Sequence, residues 1–491
     1  MARRPPTHLH RLANGDFTRA ELDRSTQFDR YRVLKGAEGN AAVEALVAAL
    51  EAWELRPLSH PQTGEVLADR RRVRARRPGD AVAIRAAVSA VAANLFALAR
   101  HPTHSDAFVA IGFASTDYPA GGLKVDRYKR SAMGLRNMTT VRDFLCEVGF
   151  VDFHPGSHDR DPAHGDPHGL LSRMRARAAL VEALEAHGVT LANVGNSGTG
   201  EVVILKGKAP GRKKPKPPLQ YVDSAKTNQW RATLEAVNRL LAGTVIHCPV
   251  TPKSGVNPEG LPDGEDEEGS RQDHLKEAVR MLAGDQTARS LYRIFNNGRW
   301  EHGGRIYGGQ WEGASKADRK GVTINGAATV ELDFSGMHPH MLYSMRGLEP
   351  HADPYKLEVD GQTISRDLCK TTFQRAINGD TPGMPKAAKK GDPDGLPSGV
   401  SFEQFRDAYG AMHAPIADTF GTGIGLTLQR LDSDIAMVVL ADLSVGRGIP
   451  VLPIHDSFIV EASQEDVLRE AMERAYGMVV RMGDCPDIRR A

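Results

Sequence analysis

Apolar residues recur at helical spacing through the first part of the chain. Residues 41–53 and 81–99, rich in Ala, Leu and Val, predict two helices. Farther on, Thr139 or Thr140 is placed to cap a short helix that runs through Cys146 and stops at Gly149. Residues 150–153 alternate as a strand does, and 154–169 form a polar stretch rich in Gly, His and Asp. A helix with Arg173, Arg175 and Arg177 in its first turns is predicted to open at Ser172. Residues 230–241 and 271–295 have amphipathic helical periodicity, and the Gly-, Pro- and acid-rich stretch 254–270 between them has none. Two later segments switch to a period of two. Over 329–334, Val330, Leu332 and Phe334 face one way and Glu331 and Asp333 the other. Over 449–460, two apolar runs flank His455-Asp456-Ser457, which predicts a hairpin with Asp456 at its tip. Between these strands, 365–377 reads as a helix closed by Asn378-Gly379, with Arg366 and Lys370 on one face.

Length and charge add domain structure to this pattern. A chain of 491 residues, 41% hydrophobic and 25% charged, has material for two or three globular domains. Its net charge of +2 conceals an asymmetry. Residues 1–230 hold 34 basic and 24 acidic side chains, a balance of +10, which leaves −8 for the rest. A basic front and an acidic back fit a nucleic-acid grip joined to a carboxylate-bearing centre, or a solvated basic face. The arginine run over 70–77 and the Pro/Lys stretch over 206–218, read as an extended basic linker, belong to that front. Helix, strand, polar loop and basic helix over about 131–205 have the order of a winged helix. His154, His158, His164 and His168 match no standard metal spacing and read as part of a polar wing. Cys146, Cys248, Cys369 and Cys485 lie far apart, which excludes a zinc ribbon or disulfide framework and points to a reducing cytosol. No stretch approaches 18 uninterrupted apolar residues, so a cytoplasmic protein without a membrane span is expected.

The two period-two segments carry the candidate chemistry. Phosphoryl transfer from a nucleotide uses two divalent ions about 4 Å apart, bridged by carboxylates from separate strands. Asp333 and Asp456 meet that need if their strands are neighbours, and a cationic helix bearing Arg366 and Lys370 suits a triphosphate. Glu331 shares the face of Asp333 and reads either as a third carboxylate or as a solvent-facing one.

Four landmarks in order resemble the family A DNA polymerases, the DNA polymerase I type, and the phage-type single-subunit RNA polymerases. Glu301-His-Gly-Gly-Arg305-Ile-Tyr307 is similar to the D-x-x-G-R motif, whose Arg lies against the primer-template minor groove. Asp333-Phe-Ser-Gly-Met-His338 resembles motif A. Arg366-x-x-x-Lys370 with Asn378-Gly379 has the spacing of the fingers helix, and His455-Asp456-Ser457 resembles motif C. Gln429 through Ile435 is similar to the helix before motif C whose Gln touches the primer terminus, and 458–467 continues the pattern. The resemblance spans about 290–480. It implies an α+β right-hand palm, an antiparallel sheet with helices and reduced fingers, at 301–491. A helical thumb-like segment at 226–300 and a basic, mainly helical region at 1–225 precede it.

The resemblance implies Asp333 and Asp456 as ligands of two Mg²⁺ ions, for which Mn²⁺ substitutes, and Lys370 as general acid beside Arg366. It implies Arg305, Gln429 and His455 at the primer end, His338 and Asn378 at the nucleotide sugar, and Tyr355 near phosphate. Partners are a DNA primer-template and nucleoside triphosphates, as for a polymerase of a mobile element or phage. The chain departs from polymerase I at three positions. Ser457 is the RNA polymerase form of motif C, His338 stands where a Glu blocks the ribose 2′-OH, and Asn378 replaces a Tyr. No carboxylate set for a proofreading exonuclease precedes the palm. The leading expectation is a DNA-dependent DNA polymerase. The alternatives are a primase or single-subunit RNA polymerase, and a non-catalytic DNA-binding replication initiator.

Overall fold

The computed structural model describes residues 15–59, 66–70, 74–101, 104–113, 117–118, 127–129, 133–156, 171–198, 200–209, 216–249, 289–351, 353–379, 396–481 and 483–491. Helices and several small sheets divide between two compact units. The first is Met1–Glu201 with Cys248–Ser290 and Glu312–Asp318; the second is Val202–His247 with Leu291–Trp311 and Arg319–Ala491.

In the first unit the apolar periodicity produces α1 (Gly36–Leu55) and α2 (Pro78–Ala99). Helix α2 opens with Pro at its first position, where the missing N–H costs no hydrogen bond. It is the one helix among the described residues long and apolar enough to cross a membrane, yet 78% of its apolar window is buried inside the protein. That face packs with Phe144, Phe153 and Leu180 in a single core. A four-stranded sheet of β1 (Ser25–Gln27), β2 (Phe108–Ile111), β3 (Val151–His154) and β4 (Ser172–Ala176) runs in the order β1-β2-β4-β3, with β1 parallel to β2 and the rest antiparallel.

Three expectations in this unit change. Helix α3 (Leu135–Glu147) starts a turn before the threonines, because Met138 already belongs to the buried face. The Thr139 and Thr140 hydroxyls donate back to the Arg136 carbonyl from within the helix. The basic helix expected at Ser172 is β4, and α4 begins only at Ala178 (Ala178–Glu185). Strand pairing on both sides decides this: Met174 lies opposite both Val109 and Phe153, while Arg175 and Arg177 pair with Asp152 at 2.8 and 2.7 Å. Among the described residues the order is therefore helix, strand, strand, helix, with β4 in the interior of the sheet. Of the arginine run, Arg76 forms a buried pair with Glu54 at 2.6 Å. The polar stretch 157–170, with His158, His164 and His168, lies outside the described residues, as do 71–73 and 250–288.

The second unit holds a three-stranded sheet, order β8-β7-β5, from β5 (Val203–Leu205), β7 (Arg289–Phe295) and β8 (Gly303–Gly309). Residues 289–295, expected to end a helix, are a strand because Leu291, Arg293 and Phe295 alternate inward. The 206–218 stretch does not run on as an extended linker. Its ends meet, with Gly207 N–H donating to the Pro217 carbonyl at 2.8 Å and Leu219 to Leu205 at 2.7 Å. Helix α5 (Ala225–Ala242) is capped by Ser224 and packs within this unit. The larger sheet has the order β6-β9-β10-β12-β11, from β6 (Ile246–His247), β9 (Thr323–Ile324), β10 (Ala327–Phe334), β11 (Leu452–Ile454) and β12 (Ser457–Glu461), with β13 (Ile488–Arg490) also paired to β10. Helices α6 (Met337–Ser344), α7 (Arg366–Asn378), α8 (Phe402–Met412), α9 (Gly425–Val439) and α10 (Glu465–Val480) complete it.

Candidate active site on adjacent strands

Strand β10 alternates over its last four residues, Leu332 and Phe334 buried and Glu331 and Asp333 less so. It pairs antiparallel with β12 in a register that sets Asp333 opposite Ser457. Asp456 is the residue before Ser457, in the two-residue turn between β11 and β12. The aspartates thus sit at neighbouring ends of hydrogen-bonded strands, which lie about 4.8 Å apart in any sheet. The turn is held from behind by Trp311, fully buried, whose indole N–H donates to the Pro453 carbonyl at 3.0 Å. His455 occupies the left-handed region at φ 57°, uncommon for a non-glycine residue. Its ring lies edge-on to Tyr307 at 5.8 Å. Burial, with Arg305 nearby, lowers the His455 pKa and keeps the ring neutral, against the opposing pull of Asp456 and Asp432.

Glu331 shares the face of Asp333 but is already engaged. Arg319 grips it at 2.8 and 3.1 Å, and the Ser457 hydroxyl donates to it at 2.8 Å. It is a structural anchor that ties β10 to β12, and Ser457 is the group that ties it.

Arg366 opens α7 and Lys370 follows one turn later, both exposed. Arg366 donates to Asp353 at 3.0 Å and lies 5.0 Å from the centre of the Tyr355 ring. The Asp353 carboxyl is held below its usual range: burial opposes this, but the Arg366 hydrogen bond and the Tyr355 backbone N–H outweigh it. Tyr355 is buried, and burial raises its hydroxyl pKa, reinforced by Asp456, Asp353 and Asp333 in its field. One residue therefore feels all three carboxylates. The Asp353–Tyr355 segment is suspended from the fully buried His413, whose Nε2 donates to the Pro354 carbonyl at 3.0 Å and whose Nδ1 meets the Tyr343 hydroxyl at 3.2 Å. Tyr409 donates to the same carbonyl at 3.2 Å. Asn378, at the end of α7, is exposed and donates back to Gln374.

Arg305 and His338 meet on a residue that sequence reasoning passed over. Gly303 and Gly304, at φ 79° and 82°, open strand β8 just before Arg305. A Cβ on Gly304 would stand 2.8 Å from Phe295, so only glycine fits. Arg305 donates to Oδ2 of Asp432 at 2.7 Å, and His338 Nε2 contacts the same oxygen at 3.0 Å. Burial works against the Arg305 charge, but Asp432 and then Asp456 raise its pKa overall. Gln429, one turn earlier on α9, is half-buried. Behind this layer, Arg293 is fully buried between Trp230 and Phe295 (4.8 and 4.9 Å) and pairs with Ser433 and Asp434. Arg430 joins Asp434 from the same helix. No signal short of three-dimensional contact identifies Asp432, since one Asp on an amphipathic helix reads as surface.

Among the described residues no set of three or more His, Cys, Asp or Glu is arranged to hold a metal ion. Asp333 on β10 and Asp456 in the turn before β12 are the two carboxylates at neighbouring strand ends. That donor set fits Mg²⁺, which takes one or two carboxylates and completes its octahedron with substrate phosphates and water. No protein-family model matches this chain, and no curated protein is similar to it.

Proposed function

We propose that this chain is a template-directed nucleotidyltransferase of right-hand palm type, acting on a DNA primer-template and nucleoside triphosphates. The observation that carries the reading is the β10–β12 register that brings Asp333 and Asp456 to adjacent strand ends, with the Arg366–Lys370 face of α7 on the same unit. Asp333 and Asp456 would hold divalent cations, which would supply Lewis acidity for the primer 3′-hydroxyl and charge neutralisation for the pyrophosphate. Arg366 binds the triphosphate by leaving Asp353 for phosphate oxygens, a like-for-like exchange of charged hydrogen bonds. Lys370 donates the proton that the departing pyrophosphate requires. Neutral His455 and Arg305 bear on the primer end, and buried Tyr355 walls the site without ionising.

His338 and Ser457 also support a second reading, RNA synthesis, because they stand where polymerase I has its ribose-excluding Glu and its motif C Glu. One experiment separates these readings. A labelled primer-template is incubated with Mg²⁺ and either dNTPs or rNTPs, beside Asp456→Ala. Extension by dNTPs alone, lost in the variant, is the expected result. Extension by rNTPs, especially without primer, moves the function to a primase or RNA polymerase. DNA binding without incorporation under any condition overturns the catalytic reading.

A further inference from the structure

Asp432 has no exposed side-chain surface, and His338 is 7% exposed. One oxygen of Asp432, Oδ2, takes two of the three Arg305 guanidinium nitrogens, Nε at 3.2 Å and Nη2 at 2.7 Å, together with His338 Nε2 at 3.0 Å. A ring nitrogen facing a carboxylate carries a proton, so the contact fixes how the His338 ring is turned and which edge faces Asp432. The other ends of both groups, Asp432 Oδ1 and His338 Nδ1, are buried without a hydrogen-bond partner. A buried ion pair adds little net stability even when fully satisfied, and this one is satisfied on one side only. Its location is informative. Arg305 lies in the field of Asp456 as well as that of Asp432. If Asp432 lost its charge, the guanidinium would be drawn toward the carboxylate the reaction needs.

We propose that Asp432 is a positioning residue for nucleotide transfer: it holds Arg305 off Asp456 and orients His338, and so keeps two groups from separate elements aimed at the reacting ends. The proposal rests on the polymerase reading above. Asp432 touches neither substrate nor metal, and acts through Arg305 and His338.

The test is steady-state single-nucleotide incorporation by full-length wild type, Asp432→Asn, Arg305→Lys and the double variant. Asn preserves volume and one acceptor oxygen, and Lys preserves charge but lacks the two-nitrogen fork. Each single variant is expected to lower kcat by about 10–100-fold, the scale of a small misplacement of reacting groups, with nucleotide KM within about threefold. The double variant is expected to be no more than about threefold worse than the poorer single, because both remove one contact. Asp432→Asn with kcat within threefold of wild type, or losses that multiply, would overturn the proposal. If Asp432→Asn fails to fold, Arg305→Lys decides alone, and its full activity would sink the idea. Wild type that incorporates nothing removes the polymerase reading and this proposal together; active wild type beside an equally active Asp432→Asn removes the proposal only.

Discussion

Acid should loosen the second unit through one histidine. His413 is fully buried, and burial pulls its pKa from 6.5 down to about 4, against the opposing hydrogen bond to Pro354. The unfolded chain therefore binds a proton near pH 6.5 that the folded protein refuses until about pH 4, and stability falls as pH drops through that window. At about 1.4 kcal/mol per pKa unit, the loss is about 2 kcal/mol at pH 5 and about 3 kcal/mol once both states are protonated. Against a total of about 5–15 kcal/mol this is a large share. His413→Gln replaces the titrating ring with a group that keeps a donor and an acceptor. It is expected to cost about 1–2 kcal/mol at neutral pH in lost packing. The gap should close by pH 5, because the variant is spared the acid penalty. Urea unfolding at pH 7 and pH 5, followed by tryptophan emission, measures this well, since Trp230, Trp300 and Trp311 of the four tryptophans lie in the second unit. Parallel pH dependence in wild type and variant would refute the argument. Incorporation should weaken over the same range, because His413 suspends the segment that holds Arg366.

Arg366→Ala is expected to raise nucleotide KM by about 10-fold or more while the primer-template KM stays level, as the loss of a charged hydrogen bond to phosphate predicts; initial rates against each substrate check it. Glu331→Ala is expected to destabilise by about 2–3 kcal/mol, since Arg319 and Ser457 lose their partner in a largely buried pair. Its Mg²⁺ half-saturation should stay unchanged, and a marked shift would make Glu331 a metal ligand after all. Gly304→Ala should cost about 2 kcal/mol or more in thermal unfolding, because φ 82° and the contact with Phe295 both oppose a side chain.

Short-range chemistry was legible in the sequence and long-range pairing was not. The 329–334 alternation and the hairpin around Asp456 were readable because a period of two and a turn are local signals. Helix α7 and its Gly379 stop were readable for the same reason. Strand β4 was misread because its Arg–Met alternation runs straight into the Ala-rich α4, and the partners that make it a strand lie on β2 and β3. Strand β7 was misread similarly, its inward Arg293 having no place in an apolar template. Asp432 and His413 draw their importance wholly from residues distant in sequence.

The pairing of β10 with β12 also dictates when the site can exist. Asp333 and Asp456 are 123 positions apart, so the two strand ends meet only after a long stretch of chain has been drawn in. Contacts of that separation form late, because closure entropy is lost before any sheet hydrogen bond rewards it. Intermediates on the way to the native state therefore lack the carboxylate pair, however complete their helices are. Under the proposed function, cation affinity would be a property of the finished protein alone, and its appearance during refolding would mark a late step rather than the first collapse.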